Sequence, residues 1–133
     1  MTTKNFFSQI SAIIIDDDKN VAATLADYLE LHGISIIAVG YNGKAAVELY
    51  QRFKPNVVFL DVMMPDYDGF YGLEKIKQFD PTAKVIMATA DTTQQTQNRL
   101  ATLGADLIVY KPFDIKEILT SISRMIESEV ASH

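Results

Sequence analysis

Cysteine and tryptophan are absent from the 133 residues, and proline and glycine are scarce, at four and six. Without cysteine there is no disulfide framework and no thiolate zinc site, so the fold rests on its apolar core. So little glycine and proline excludes collagen-like and low-complexity chains. Long hydrophobic runs are missing too. The longest are short blocks such as Ala12 to Ile15 and Val57 to Leu60, far short of a bilayer span. Ser8, Gln9 and Ser11 interrupt the apolar residues near the start and three aspartates follow Ile15, which leaves no signal-peptide core. A cytoplasmic location is the default expectation. Positive charge is in deficit: 12 basic residues against 17 acidic ones leave −5, which argues against a chain-wide grip on nucleic acid.

What is present is 48% apolar and 22% charged, the balance of one globular domain long enough to bury a core. Five short blocks rich in β-branched residues read as strands: Ala12 to Ile15, Ile34 to Val39, Val57 to Leu60, Val85 to Ala88 and Leu107 to Tyr110. Three of them are nearly continuous apolar runs, as in a parallel sheet covered on both faces. Between them lie helical periods. Val21, Leu25, Tyr28 and Leu29 mark the first; Ala46, Leu49, Tyr50 and Phe53 the second, ended by Pro55; Phe70, Leu73 and Ile76 the third, ended near Asp80-Pro81. Asp91 to Asn98 contains no apolar residue, so a fourth helix has only Leu100 and Leu103 as anchors. The fifth carries Ile115, Ile118, Leu119, Ile122, Met125 and Ile126. Five strand–helix units predict an α/β fold, a doubly wound five-stranded parallel sheet flanked by five helices. Residues 1–10 read as an N-terminal extension, 11–128 as the domain and 129–133 as a tail.

In such a fold, chemistry collects at the carboxyl ends of the strands. Asp16, Asp17 and Asp18 follow the first strand directly and Asp61 follows the third, so the fold should bring their carboxylates close together. One of the three consecutive aspartates, Asp18, suits a helix cap, which leaves Asp16 and Asp17 over. Crowded carboxylates repel unless a cation sits among them, and a hard divalent ion such as Mg²⁺ suits these oxygen ligands. Thr89 ends the fourth strand and Lys111 follows the fifth. Carboxylate, hydroxyl and ammonium around a metal form a clamp for a phosphoryl group, with Asp61 as its acceptor and Thr89 placed to donate to an Asp61 oxygen.

Four separated motifs occur in one order: Ile13-Ile14-Ile15-Asp16-Asp17-Asp18, Leu60-Asp61-Val62-Met63-Met64-Pro65-Asp66-Tyr67-Asp68-Gly69, Met87-Ala88-Thr89-Ala90 and Tyr110-Lys111-Pro112-Phe113. They resemble the receiver domain of two-component response regulators, the CheY-like family, over about residues 11–127. The resemblance implies a flavodoxin-like sheet of order 2-1-3-4-5. It makes Asp61 the phosphoryl acceptor, with Asp16, Asp17, Asp61 and the backbone carbonyl of Met63 around Mg²⁺, and Thr89 and Lys111 on the phosphoryl oxygens. It also implies a cis Lys111–Pro112 bond and a positive φ at Gly69. The partners implied are a histidine kinase or histidine phosphotransfer protein as donor, and a downstream protein or an output domain as receiver of the signal. Neither nucleic acid nor membrane is an expected partner of this domain, and its chemistry is confined to its own phosphorylation and dephosphorylation. Where many members of the family carry an aromatic residue, three positions before the lysine, this chain has Ile108. Met63 and Asp91 fall where the resemblance implies an influence on attacking water.

Other readings fit less well. An aspartate-nucleophile phosphatase needs a second acid two positions after the first, and Met63 stands there. Gly40 and Gly43 are not followed by the Lys-Ser or Lys-Thr of a nucleotide-binding loop. A scaffold that keeps this fold without phosphorylation is the remaining alternative.

Overall fold

β-branched blocks too short for helices alternate with amphipathic segments, and the computed structural model, which describes residues 7–131, turns that pattern into one sheet between two helical layers. Its elements are β1 (Ser11–Ile15), α1 (Lys19–Leu31), β2 (Ser35–Gly40), α2 (Gly43–Phe53), β3 (Val57–Asp61), α3 (Gly69–Phe79), β4 (Val85–Thr89), α4 (Gln94–Thr102), β5 (Leu107–Tyr110) and α5 (Ile115–Ala131). All pairings are parallel and the order is β2-β1-β3-β4-β5, as the resemblance implied. The winding reverses between β1 and β3. Central strands β3 and β4 are buried along their whole length, whereas edge strands β2 and β5 alternate or lie half open. This is why only some blocks read as unbroken apolar runs.

Alternate side chains of each strand feed opposite faces. Ala12 and Ile14 join Phe59, Leu25, Leu29, Ile118 and Ile122 under α1 and α5; Ile13 and Ile15 join Leu60, Leu73, Ile76 and Leu100 under α2, α3 and α4. Local chemistry sets the helix starts. Asp18, Asn42, Asp68 and Thr93 each accept a backbone N–H of the helix they precede. The buried face of α1 is Ala22, Leu25, Ala26 and Leu29. Tyr28, expected on that face, is 47% exposed because two alanines fill the close helix–sheet contact instead.

The boundaries differ from expectation at both ends. Residues 1–6 of the expected extension lie outside the described residues, but Phe7 and Ile10 are buried in the α1–α5 core. Of the expected tail, 129–131 continue α5, and residues 132 and 133 lie outside the described residues. Among the described residues no helix is long and apolar enough to cross a membrane.

One polar clamp ties the far edge together. Lys77 Nζ donates to Ala83 O at 2.6 Å and to Asp106 Oδ2 at 2.9 Å, and the same Asp106 oxygen accepts Val85 N–H at 2.8 Å. Asp106→Ala leaves the Lys77 ammonium with Ala83 O alone and the Val85 N–H without its acceptor, and is expected to cost about 2–3 kcal/mol, read as a lower urea midpoint at unchanged slope.

Candidate functional site

The register of the sheet assembles the site. Ile15 pairs with Leu60, Asp61 with Ala88, and Thr89 with Tyr110, so Asp16, Asp61, Thr89 and Lys111 leave the sheet at one edge. Ladder-like hydrogen bonds continue one residue beyond the strands: Asp16 N to Gly40 O at 3.1 Å, Val62 N to Ala88 O at 3.0 Å and Lys111 N to Thr89 O at 3.0 Å.

Oxygens of Asp16, Asp17 and Asp61 all lie within 4.8 Å of one another, with Asp16 and Asp61 buried and Asp17 exposed. Lys111 Nζ stands 2.8 Å from Asp16 Oδ2 and 3.1 Å from Asp61 Oδ1. Burial pushes the Asp61 carboxyl up to about 6, the charge of Asp16 pushes the same way, and Lys111 opposes both. Burial pulls the Lys111 ammonium down, but its hydrogen bond to Asp16 and the charge of Asp61 outweigh this and hold it above the ordinary lysine value. One ammonium thus serves two buried carboxylates beside a third, exposed one. Three convergent carboxylates, only partly compensated and open to solvent through Asp17, form a donor set that suits a hard divalent cation with room for other oxygens.

The aspartate run divides its labour. Asp18 caps α1, accepting from Asn20 N at 3.0 Å and Val21 N at 3.2 Å, while Asp16 turns one oxygen back to Asp18 N at 2.9 Å and the other to Lys111. The Lys111–Asp16 pair was not expected, because their sequence separation carries no signal of it. Thr89 is buried, but its hydroxyl accepts Asp91 N–H at 2.9 Å and no hydrogen bond joins it to Asp61. Asp91, expected near the path of water, has its carboxylate occupied by Thr93 N–H at 2.8 Å and the Thr96 hydroxyl at 2.6 Å. Those bonds hold its carboxyl below the ordinary value.

Met63 is 68% exposed at the rim, while Met64 is buried. The Lys111–Pro112 peptide is cis, as expected. The expectation for Gly69 is corrected: the positive φ of this loop, 68°, belongs to Asp66. Gly69 is required for closeness instead. A Cβ there would sit 2.2 Å from the Asp61 carbonyl oxygen, and Gly69 N–H donates to Val62 O at 2.8 Å. Ile108 packs against the core beneath α2–α4, and Tyr110, on the same side of β5, is 37% exposed.

A doubly wound sheet with an acidic trio and a lysine at its carboxyl edge defines a class of α/β domain, and comparison with known proteins supplies the family. The profile of the response regulator receiver domain matches residues 12–123. The chain belongs to that family, the receiver domains of two-component signalling. It is 33% identical over 114 residues to protein CcdB of Bacillus subtilis, covering 86% of this chain and 95% of the relative. Chemotaxis protein CheY of the same organism is 32% identical over 114 residues, with the same coverage. Among solved structures, a CheX–CheY–BeF₃–Mg²⁺ complex from Borrelia burgdorferi matches with a TM-score of 0.84 at 28% identity, covering 88% of this chain and 89% of the other.

Proposed function

We propose that this domain takes a phosphoryl group from a phosphohistidine onto Asp61 in a Mg²⁺-dependent reaction, and that the modified domain presents a changed surface to a downstream protein. The observation that carries the reading is Lys111 Nζ between Asp16 and Asp61 beside the exposed carboxylate of Asp17. In the transfer, the donor's P–N bond breaks as an Asp61 oxygen forms a P–O bond, and the imidazole nitrogen keeps the electron pair. Lys111 is placed to follow the growing negative charge, since its contact with Asp61 is already made. Thr89 completes the clamp by exchanging its bond from Asp91 N–H for donation to a phosphoryl oxygen. Asp16, Asp17, Asp61 and the Met63 carbonyl would hold Mg²⁺, which when bound supplies charge neutralisation and a template for phosphoryl oxygens. The neighbouring structure that contains BeF₃ and Mg²⁺ supports this choice of ion.

A groove of about 400 Å³ runs beside Lys111, lined by Val21, Leu25, Tyr28, Pro112 and Phe113 among others. We place the donor, a histidine kinase or histidine phosphotransfer protein, against it. Its apolar lining suits a helix face, and its end at Lys111 brings a bound histidine to the acceptor.

Incubation with acetyl phosphate and Mg²⁺ tests the reading: intact-mass measurement is expected to show the gain of one phosphoryl group, and none with a chelator present. No gain with any phosphodonor or kinase would overturn it in favour of a scaffold. Asp17→Asn removes the exposed ligand alone and is expected to weaken Mg²⁺ binding at least tenfold by titration, in line with the cost of losing one metal-site partner. An unchanged titration removes Asp17 from the metal site.

A further inference from the structure

Little apolar contact holds helix α4 to the domain. Its residues 94–98 are Gln-Gln-Thr-Gln-Asn, and Leu100 is its one buried side chain among the described residues. Polar tethers complete the attachment. Near its start the Thr96 hydroxyl donates to Asp91 at 2.6 Å. In its second half the Arg99 guanidinium lies 3.8 Å from the centroid of the Phe70 ring, whereas the other cation–aromatic pairs of the domain stand at 5.1–5.9 Å. Among the described residues no carboxylate forms an ion pair with Arg99.

Phe70 leads back to the acceptor. It is the second residue of α3 and 8% exposed, and it follows Gly69, whose backbone is pressed against the Asp61 carbonyl. A shift of the Asp61 backbone therefore displaces the start of α3, and the Phe70 ring with it. Arg99 also has an alternative arrangement within reach. The groove it lines with Phe70, about 210 Å³, is bordered by Asp68 and Glu74, carboxylates that a guanidinium leaving the ring can pair with. A second set of partners beside the first is what a two-state contact between α3 and α4 requires.

We propose that Arg99 is a positioning residue whose stack on Phe70 couples the state of Asp61 to the placement of α4. The physiological trigger rests on Asp61 being the phosphoryl acceptor; the coupling itself rests on the arrangement of Gly69, Phe70 and Arg99 with Asp68 and Glu74. The stack holds α4 in one placement, and displacement of the Asp61–Gly69 loop releases Arg99 toward Asp68 and Glu74. Lysine keeps the charge but not the planar face, so it restores the coupling only in part.

Hydrogen exchange of the 94–103 segment in the unmodified full chain tests the coupling through a double-mutant cycle of Asp61→Asn and Arg99→Ala. Asp61→Asn removes the repulsion from Asp16 and the pull on Lys111, and is expected to change exchange of α4 about fivefold with Arg99 present and not measurably with Arg99→Ala, the low end of ordinary coupling between sites. Arg99→Lys is expected to lie between. Equal responses in both backgrounds, the mark of a merely structural arginine, would overturn the proposal. In a second arm, acetyl phosphate and Mg²⁺ are added and intact mass is followed. Arg99→Ala is expected to gain its phosphoryl group within twofold of the parent rate while the accompanying change in α4 exchange is lost. A parent chain that gains no phosphoryl group contradicts the reading of Asp61, and the cycle on unmodified protein still decides the role of Arg99.

Discussion

Asp61→Asn is expected to abolish phosphoryl uptake from acetyl phosphate and, in the same protein without metal, to raise stability by about 2–3 kcal/mol at pH 7. The two effects have one origin. A buried carboxylate next to Asp16 is an unfavourable place for negative charge, which is why the Asp61 carboxyl moves from 3.8 up to about 6. Because its folded value lies above its ordinary one, the folded chain holds a proton that the unfolded chain releases between pH 3.8 and about 6. The Asp61 contribution to stability therefore falls as pH rises through that window and stays lowered above it. Asparagine has no charge to bury, so the variant and the parent should converge in stability near pH 4 and separate as pH rises. Urea midpoints at pH 4, 5, 6 and 7 check the sign. A variant less stable than the parent at neutral pH in chelator would mean that Lys111 more than compensates the crowding. In the proposed function the same charge serves Asp61 as nucleophile and cation ligand, a trade of stability for activity common at functional sites.

Gly69→Ala is expected to cost about 3 kcal/mol or more, the upper end of overpacking. Its methyl would meet the Asp61 carbonyl oxygen at 2.2 Å and the Val62 Cα at 2.7 Å, both backbone atoms that yield only by disturbing the β3–β4 ladder. Phosphoryl uptake should fall along with stability, because relief of the clash moves the acceptor. Gly72→Ala, in the same helix, is the internal control. There the methyl meets the end of the Leu60 side chain at 3.1 Å and the Gly43 backbone at 3.4 Å, contacts that ask for a few tenths of an ångström of give, and alanine favours the helix by up to about 1 kcal/mol. A large loss at Gly69 with little change at Gly72 is the expected pattern in denaturant melts. Equal effects would contradict the close approach of α3 to Asp61.

Much of this arrangement was legible in the chain because it depends on local pattern. The β-branched blocks locate all five strands, and an aspartate or lysine next to the end of a block locates each charged group at the sheet's edge. Asp18 as a cap follows from its place before a helical period, and the structure agrees. What escaped the sequence depends on tertiary distance. The pairing of Lys111 with Asp16 arises only once β5 and β1 lie on either side of β3 and β4. The role of Gly69 was misassigned because glycine signals either positive φ or close approach, and only the nearness of the Asp61 carbonyl decides between them. Tyr28 was assigned to the buried face of α1 since an aromatic fits the helical period as well as Ala22 and Ala26 do, while the closeness of α1 to the sheet favours the alanines. Phe7 and Ile10 precede the first strand, and no periodicity marks them as core. The Arg99–Phe70 stack joins residues whose nearness is set by the packing of α3 on α4.

Borohydride reduction of the modified protein decides whether Asp61 itself carries the phosphoryl group. Hydride converts an aspartyl acyl phosphate to the alcohol, homoserine, releasing phosphate, while unmodified carboxylates and phosphate esters are left unchanged. After treatment with acetyl phosphate and Mg²⁺, peptide sequencing by mass is expected to find homoserine at position 61 and at no other aspartate. Homoserine at Asp16 or Asp17, or a chain that has gained a phosphoryl group yet yields no homoserine, would contradict the account.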